Sequence, residues 1–109
     1  MPTETKIARD RVQATLLSAA TGTTNGQWHD VSRWDTITVH VKGVTSATVN
    51  ICASCAPAQP ADSADEYEVT PVTSDGIIDI TTRPKWLKVR VSVYATGTIY
   101  AYAIGKISN

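Results

Sequence analysis

Two cysteines three positions apart have the spacing that comes closest to a chemical site. Cys52 and Cys55 form a C-x-x-C pair. A structural zinc site needs four ligands, and the two histidines that could complete the set, His29 and His40, both precede the pair in predicted strands. A thioredoxin-like redox pair requires a βαβ context, which the pattern lacks. We expect ordinary reduced thiols or a local disulfide, with a metal site or redox work as alternatives.

The two histidines are the other candidates for catalysis. His40 has no serine or cysteine nucleophile near it in a recognisable activating motif, so we expect a solvated side chain on the outer face of a strand. His29 stands beside Asp30 and could pair with it, but most pairs of this kind are structural. The sequence therefore predicts no catalytic residue, no cofactor site and no enzyme activity.

Six carboxylates lie within 18 residues: Asp62, Asp65, Glu66, Glu68, Asp75 and Asp79. Calcium favours oxygen-rich loops, but the spacing does not match a D-x-D-x-D-G loop, so we expect a solvated acidic edge and no metal. Basic residues follow: Arg83, Lys85, Lys88, Arg90 and Lys106. A neutral protein with one acidic and one basic face suits contacts between identical subunits. Cross-strand charge pairing within one sheet is the alternative.

An aromatic and basic group on one predicted strand indicates a binding surface. Period-two alternation puts Trp86, Lys88, Arg90 and Tyr94 on the outward face. Because tryptophan, tyrosine and arginine dominate binding hot spots, we expect a protein interface here. The other expected interface residues are Lys6, Arg9 and Arg11. The alternatives are a sugar-binding platform and a face turned towards the core.

Composition limits the class of protein. The 109 residues carry ten basic and ten acidic side chains, so nothing attracts the chain in bulk to nucleic acid or anionic membrane. No apolar run approaches the ~20 residues that span a bilayer, and the first residues lack the apolar stretch of a secretory signal. Valine and isoleucine total 20 residues and threonine 16, against three leucines. β-branched side chains of this kind favour strands.

Alternation then predicts the strands and their faces. Ile37, Val39 and Val41 point to the core in one strand. In the next strand Ala47, Val49, Ile51 and Ala53 point inward, and Thr48, Asn50, Cys52 and Ser54 point outward. Later strands turn inward Leu87, Val89, Val91 and Val93, and then Ile99, Ala101 and Ala103. The last strand turns Tyr100, Tyr102 and Ile104 to the opposite side.

Turns and loops complete the predicted architecture. Asn25-Gly26 favours a tight turn, Gly43 and Gly97 lie in further predicted turns, and residues 56–65 form the longest loop. We expect an all-β fold: a two-sheet antiparallel sandwich, jelly-roll or immunoglobulin-like, of about eight short strands. A flexible N-terminal arm covers residues 1–11, and the sandwich domain covers 12–109.

The order of strands and turns resembles small β-sandwich virion proteins of tailed bacteriophages. The resemblance covers roughly residues 20–107. It rests on GTTNG at 22–26, a valine-rich strand ending at Gly43, ATVNI at 47–51, PKWLKVRV at 84–91 and TGTI at 96–99. These are strand and turn patterns with no catalytic residues among them. The cysteine pair departs from the family pattern.

The resemblance implies a structural role. Proteins of this type serve as head decoration (cement) proteins or as minor head and tail components. The resemblance therefore implies a homo-oligomer, dimer or trimer, that binds the major capsid protein or other virion proteins. It would be assembled in the bacterial cytoplasm and reside in the virion, without nucleic-acid or membrane partners. A neck, tail or head-fibre component is one alternative, and a carbohydrate-binding module that uses Trp86 and Tyr94 is another.

Overall fold

The computed structural model describes residues 4–60, 66–82 and 84–107, and these residues form strands, turns and loops without a helix. The strands are β1 (Glu4–Ala8), β2 (Arg11–Ala20), β3 (Thr24–Asn25), β4 (His29–Asp30), β5 (Trp34–Ser54), β6 (Tyr67–Val72), β7 (Gly76–Ile80) and β8 (Trp86–Ile107). All the pairings are antiparallel. The all-β prediction is confirmed. No helix in the described part is long and apolar enough to cross a membrane.

Two long strands form the frame of the molecule. β5 and β8 pair along their whole lengths, from Trp34 opposite Ile107 to Ser54 opposite Trp86. The sequence predicted four short strands here, with breaks near Gly43 and Gly97. Instead both strands continue through these points and bend.

Glycine permits the bend. Gly43 and Gly97 have φ angles of 84° and 126°, which side chains rarely tolerate. A Cβ atom on Gly43 would collide with the carbonyl oxygen of Thr98. The bulges that shift the β5–β8 register cluster in the same region, between Lys42 and Val49, and bulges increase the local bend and twist.

The bend folds one hydrogen-bonded sheet into two layers. The first layer contains β1, β2, the second half of β8, the first half of β5, and β7. The second layer contains β3, β4, the first half of β8, the second half of β5, and β6. The predicted sandwich is therefore one eight-stranded sheet folded over, because β5 and β8 pass from one layer to the other.

Aliphatic side chains from both layers form one core. Val39 and Val41 of the first layer and Val89 and Val91 of the second are at most 1% exposed, and burial of each such side chain contributes about 1.5–3 kcal/mol. The inward faces were predicted correctly for these residues. Val93 was predicted to point inward as well, but it is 60% exposed, because the bulges at the bend interrupt the alternation.

The second half of β5 does turn Asn50, Cys52 and Ser54 away from the main core, but the exposure expected for that outward face is wrong. Asn50, Cys52 and Ser54 are 5%, 0% and 5% exposed. Trp28 and Trp86 pack with Cys52 in a second apolar cluster. This side of the second layer is thus buried beneath the molecule's own side chains.

The N-terminal segment also differs from the expected arm. Glu4–Ala8 is the edge strand β1, and it pairs with β2 from Glu4 opposite Ala14 to Ala8 opposite Arg11. Its hydrogen bonds to β2 make it part of the sheet. Residues 1–3 of the predicted arm and residues 61–65 of the predicted long loop lie outside the described residues.

Candidate functional site

A buried ion cluster occupies the outer side of the second layer. The Nζ of Lys88 lies 2.8 Å from Oε2 of Glu66, and the guanidinium of Arg90 pairs with Oε1. The thiol of Cys52 donates to the same Oε1 at 3.3 Å. Lys88 is 1% exposed, and its Nζ lies 4.7 Å from the centroid of the Trp28 ring. We call Glu66, Lys88, Arg90 and Cys52 the Glu66 cluster.

Burial and charge shift two pKa values in the Glu66 cluster. Burial raises the pKa of the Glu66 carboxyl, but hydrogen bonds from Lys88 and Cys52 and the charges of Lys88 and Arg90 outweigh it and lower that pKa overall. Burial, the hydrogen bond to Glu66 and the charge of Glu66 raise the pKa of Cys52 to about 12. The cluster therefore holds a carboxylate and a neutral thiol at neutral pH.

This geometry bears on the C-x-x-C pair. Both cysteines are free thiols, with Cys52 buried and Cys55 exposed. Because only a thiolate attacks or binds metal well, the protonated Cys52 is a poor nucleophile and a poor ligand. Within residues 4–60, 66–82 and 84–107, no group of three or more histidine, cysteine, aspartate or glutamate side chains could hold a metal ion.

The dependence of stability on pH below neutral pH should involve Glu66. Because folding lowers the pKa of Glu66 from its ordinary value of 4.5, its contribution to stability is present above pH 4.5 and is lost as the pH falls through the folded value. We expect the melting temperature of Glu66→Gln to depend less on pH between pH 6 and 3 than that of the wild type. Glu68→Gln is the control, since Glu68 is exposed on β6 and forms no ion pair with a described residue. Parallel pH profiles for the wild type and Glu66→Gln would contradict this assignment.

The structure separates the predicted interface residues into two groups. Trp86 is buried, and its indole N–H donates to the carbonyl oxygen of Ala56 at 3.1 Å. Lys88 and Arg90 belong to the Glu66 cluster, and the Tyr94 hydroxyl donates to the carbonyl oxygen of Gly97. Trp86 and Lys88 lie on the side away from the main core, as predicted, but the chain's own side chains cover them there.

The basic residues near the N-terminus are the second group. Lys6, Arg9 and Arg11 are all exposed on β1, the β1–β2 turn and β2. They remain candidates for an interface.

A second polar contact ties β1 to the rest of the sheet. Oε1 of Glu4 lies 3.0 Å from Nε2 of His29 and accepts the indole N–H of Trp34 at 3.2 Å. The His29–Asp30 pair considered from the sequence is replaced by this contact, since the Asp30 carboxylate accepts hydrogen bonds from the backbone N–H and hydroxyl of Ser32. His29 therefore has a structural partner that the sequence did not indicate.

The acidic residues also disperse. Glu66 is buried in its cluster, as the alternative of charge pairing within one sheet predicts. Asp79 accepts the hydroxyl of Thr38 at 2.9 Å, and Asp75 accepts the backbone N–H of Val44 at 2.8 Å. Asp62, Asp65 and Arg83 lie outside the described residues.

An aromatic surface covers the outer side of the first layer. We call it the tyrosine face and define it by His40, Lys42, Ile77, Tyr100, Tyr102 and Ile104. The backbone register puts Tyr102 beside His40, Tyr100 beside Lys42, and His40 beside Ile77. Each alternates along its strand with core residues such as Val41, so the group shares the side that faces away from the core.

Ring contacts order the tyrosine face. The rings of Tyr100 and Tyr102 stack with centroids 6.1 Å apart and an interplanar angle of 14°. Lys42 places its Nζ 5.0 Å from the Tyr100 centroid. Ile77 and Ile104 are 69% and 37% exposed. Contiguous exposed apolar groups of this kind mark interaction sites, so the tyrosine face is a candidate interaction surface.

The sequence contained a pattern that indicates this face, but the predicted interface did not include it. Tyr100, Tyr102 and Ile104 were assigned correctly to the side opposite Ile99 and Ala101, which is the solvent side. Three large apolar or aromatic side chains on a solvent side indicate a binding surface. The predicted interface instead lay on the first half of β8, where Trp86 is buried.

A wide, open hollow of about 630 Å³ lies between the end of β2 and β3. Its lining comes from residues 15–22 and 24–27 and contains no titratable side chain. It offers hydroxyl groups of serine and threonine but no acid or base among its lining residues to activate them.

Comparison with known proteins identifies the fold. No protein-family model matches the chain, and no curated protein sequence matches it. Among solved structures, the chain is similar to the crystal structure of SPBc2 prophage-derived protein YomS, with a TM-score of 0.69 and 19% sequence identity. The match covers 93% of this chain and 97% of that chain. The chain thus shares the fold of the YomS protein over almost its whole length.

Proposed function

We propose that this chain is a non-catalytic structural protein of a tailed bacteriophage, and that it decorates the head by binding the major capsid protein. The observation that carries the proposal is the structural match to a prophage-derived protein of nearly the same extent. The strand and turn patterns that resemble small virion proteins support it independently.

The exposed surfaces suit such a role. The tyrosine face offers aromatic and aliphatic area, and Lys6, Arg9 and Arg11 offer charge at the β1–β2 end. A decoration protein gains strength by repeating modest contacts over a lattice. Each copy therefore needs only a small interface with the shell.

A neck, tail or head-fibre component is the competing role. The fold supports both, and the copy number per particle separates them. A sugar-binding platform formed by Trp86 and Tyr94 has less support, since Trp86 is buried and its N–H is already bonded to Ala56.

The composition of purified particles tests the proposal. Particles of the phage that encodes this chain are purified from lysate, and the chain is quantified against the major capsid protein by mass spectrometry with labelled standards. We expect copy numbers comparable to that of the capsid protein, and shells that lose the chain should release their genome at lower temperature. A few copies per particle would favour the neck or tail role. Absence from the particle would refute both roles.

A further inference from the structure

We infer that the tyrosine face binds a second copy of this chain in a two-fold symmetric dimer. The first observation is the distribution of charge around this face. Asp79 lies on β7 at one flank, and Asp75 immediately precedes β7. Arg11 lies on β2 and Arg9 in the adjoining turn at the other flank. The face thus has an aromatic centre, an acidic flank and a basic flank.

The register shows that Arg11 and Asp79 share the side of the tyrosines. Asp79 is paired with Thr38, which is paired with Ile104 of the tyrosine face. Arg11 is paired with Lys106, two residues along β8 from Ile104. Side chains of cross-strand partners and of residues two apart in a strand lie on one side of a sheet.

These flanking charges are not neutralised by ion pairs within the described part of the molecule. None of Arg9, Arg11, Asp75 and Asp79 belongs to an ion pair with another described residue. Asp75 and Asp79 do accept one hydrogen bond each from the chain, but both residues are exposed. Their charge is available to a partner.

Symmetry selects how a second copy docks. The first layer has the strand order β1-β2-β8-β5-β7. A two-fold axis parallel to β8 keeps positions along the strands and lays the β1–β2 flank of each copy over the β7 flank of the other. Arg11 of each copy then comes near Asp79 of the other, since both lie near the level of Ile104 and Lys106, so this pair of opposite charges meets twice. A two-fold axis perpendicular to the strands lays each flank over itself, so like charges meet. The axis parallel to β8 therefore gives an isologous dimer whose charges are complementary across the interface.

The size of the tyrosine face sets the expected stability of the dimer. Five strands about 4.8 Å apart give a face of roughly 500 Å² per copy, below the about 800 Å² per partner of a standard stable interface. We therefore expect a weak dimer whose population rises with concentration. This self-association goes beyond the proposed function, and it is measured without any phage particle.

Charge reversal tests the arrangement in solution. The wild type is compared by sedimentation velocity, over a concentration series, with Arg9→Glu/Arg11→Glu, with Asp79→Lys and with the chain that combines all three changes. Each reversal alone should abolish the dimer because like charges then face each other twice. The combined chain should dimerise again, and an equimolar mixture of the two reversal variants should form a heterodimer.

Matched controls separate the face from general effects. Tyr102→Glu, at the centre of the face, should give a monomer, whereas Tyr67→Glu should not, since Tyr67 is a 67% exposed tyrosine on β6 of the other layer. Circular dichroism checks that each variant is folded. A wild type that stays monomeric at every concentration, or a dimer that resists both reversals, would overturn the inference. Absence of the chain from particles would leave it standing.

Discussion

Replacement of Lys88 by methionine is expected to lower the free energy of unfolding by about 3 kcal/mol, which is of the order of loss for removing one partner of a buried ion pair. The Lys88 side chain is 1% exposed and that of its partner Glu66 is 7% exposed, so solvent screens the pair little. Without the ammonium, Arg90 is the one cationic partner that the Glu66 carboxylate keeps among the described residues. Urea denaturation measures the change, and a fall of roughly 15 °C in melting temperature should accompany it.

A double-mutant cycle distinguishes this ion pair from simple loss of packing. Glu66→Gln should also destabilise the protein, because it leaves the ammonium of Lys88 buried without its anion. The combination Lys88→Met/Glu66→Gln should cost less than the sum of the two single changes by about 1–3 kcal/mol, as for residues in direct contact. Strict additivity of the two changes in the free energy of unfolding would mean that the two charges do not interact.

Replacement of Val89 by aspartate is expected to cost at least 4 kcal/mol, roughly the level reached by the most damaging substitutions. Val89 is fully buried in the main core, and a carboxylate there has no cationic partner. Burial of an unpaired charge is among the largest penalties available to one substitution. Thermal unfolding followed by circular dichroism measures the loss.

Val93→Asp is the matched control on the same strand. Simple alternation groups Val93 with Val89, yet Val93 is 60% exposed. We expect Val93→Asp to change the free energy of unfolding by no more than about 0.5 kcal/mol. Equal effects at the two positions would show that the bend of β8 does not lie where the structure has it.

The dimer and the particle assays address different levels of organisation. Self-association through the tyrosine face depends on residues of the first layer, and incorporation into a phage head depends on the whole surface. Variants such as Tyr102→Glu can therefore be tested in both. Loss of the dimer with unchanged particle content would indicate that the capsid contact uses other residues, among which Lys6 is an exposed candidate.

The strands and the main core were predictable because both depend on local chemistry. β-branched residues favour extended backbone, and alternation assigns one side of each strand. Ile37, Val39 and Val89 were assigned to the core on this basis, and they are buried. The same alternation assigned the tyrosines to the opposite side, where they are half-buried and stacked.

The local pattern did not determine where the long strands continue. Gly43 and Gly97 are typical turn residues, and the sequence predicted hairpin breaks near both. Only the pairing of β5 with β8 along their whole lengths turns these positions into bends inside two continuous strands. The bulges there also expose Val93, against its period-two position.

The sequence by itself determined that each strand has one side towards the core and one side away from it. The tertiary structure decided which of the outer sides are covered by other segments. Trp28 and Glu66 are distant from Lys88 in sequence, yet they enclose its side chain on the second layer. In the described part of the chain the tyrosine face is not covered in the same way, and Ile77 remains 69% exposed there. Alternation depends on backbone geometry within one strand, whereas coverage depends on contacts between distant segments, and only the folded chain brings those segments together.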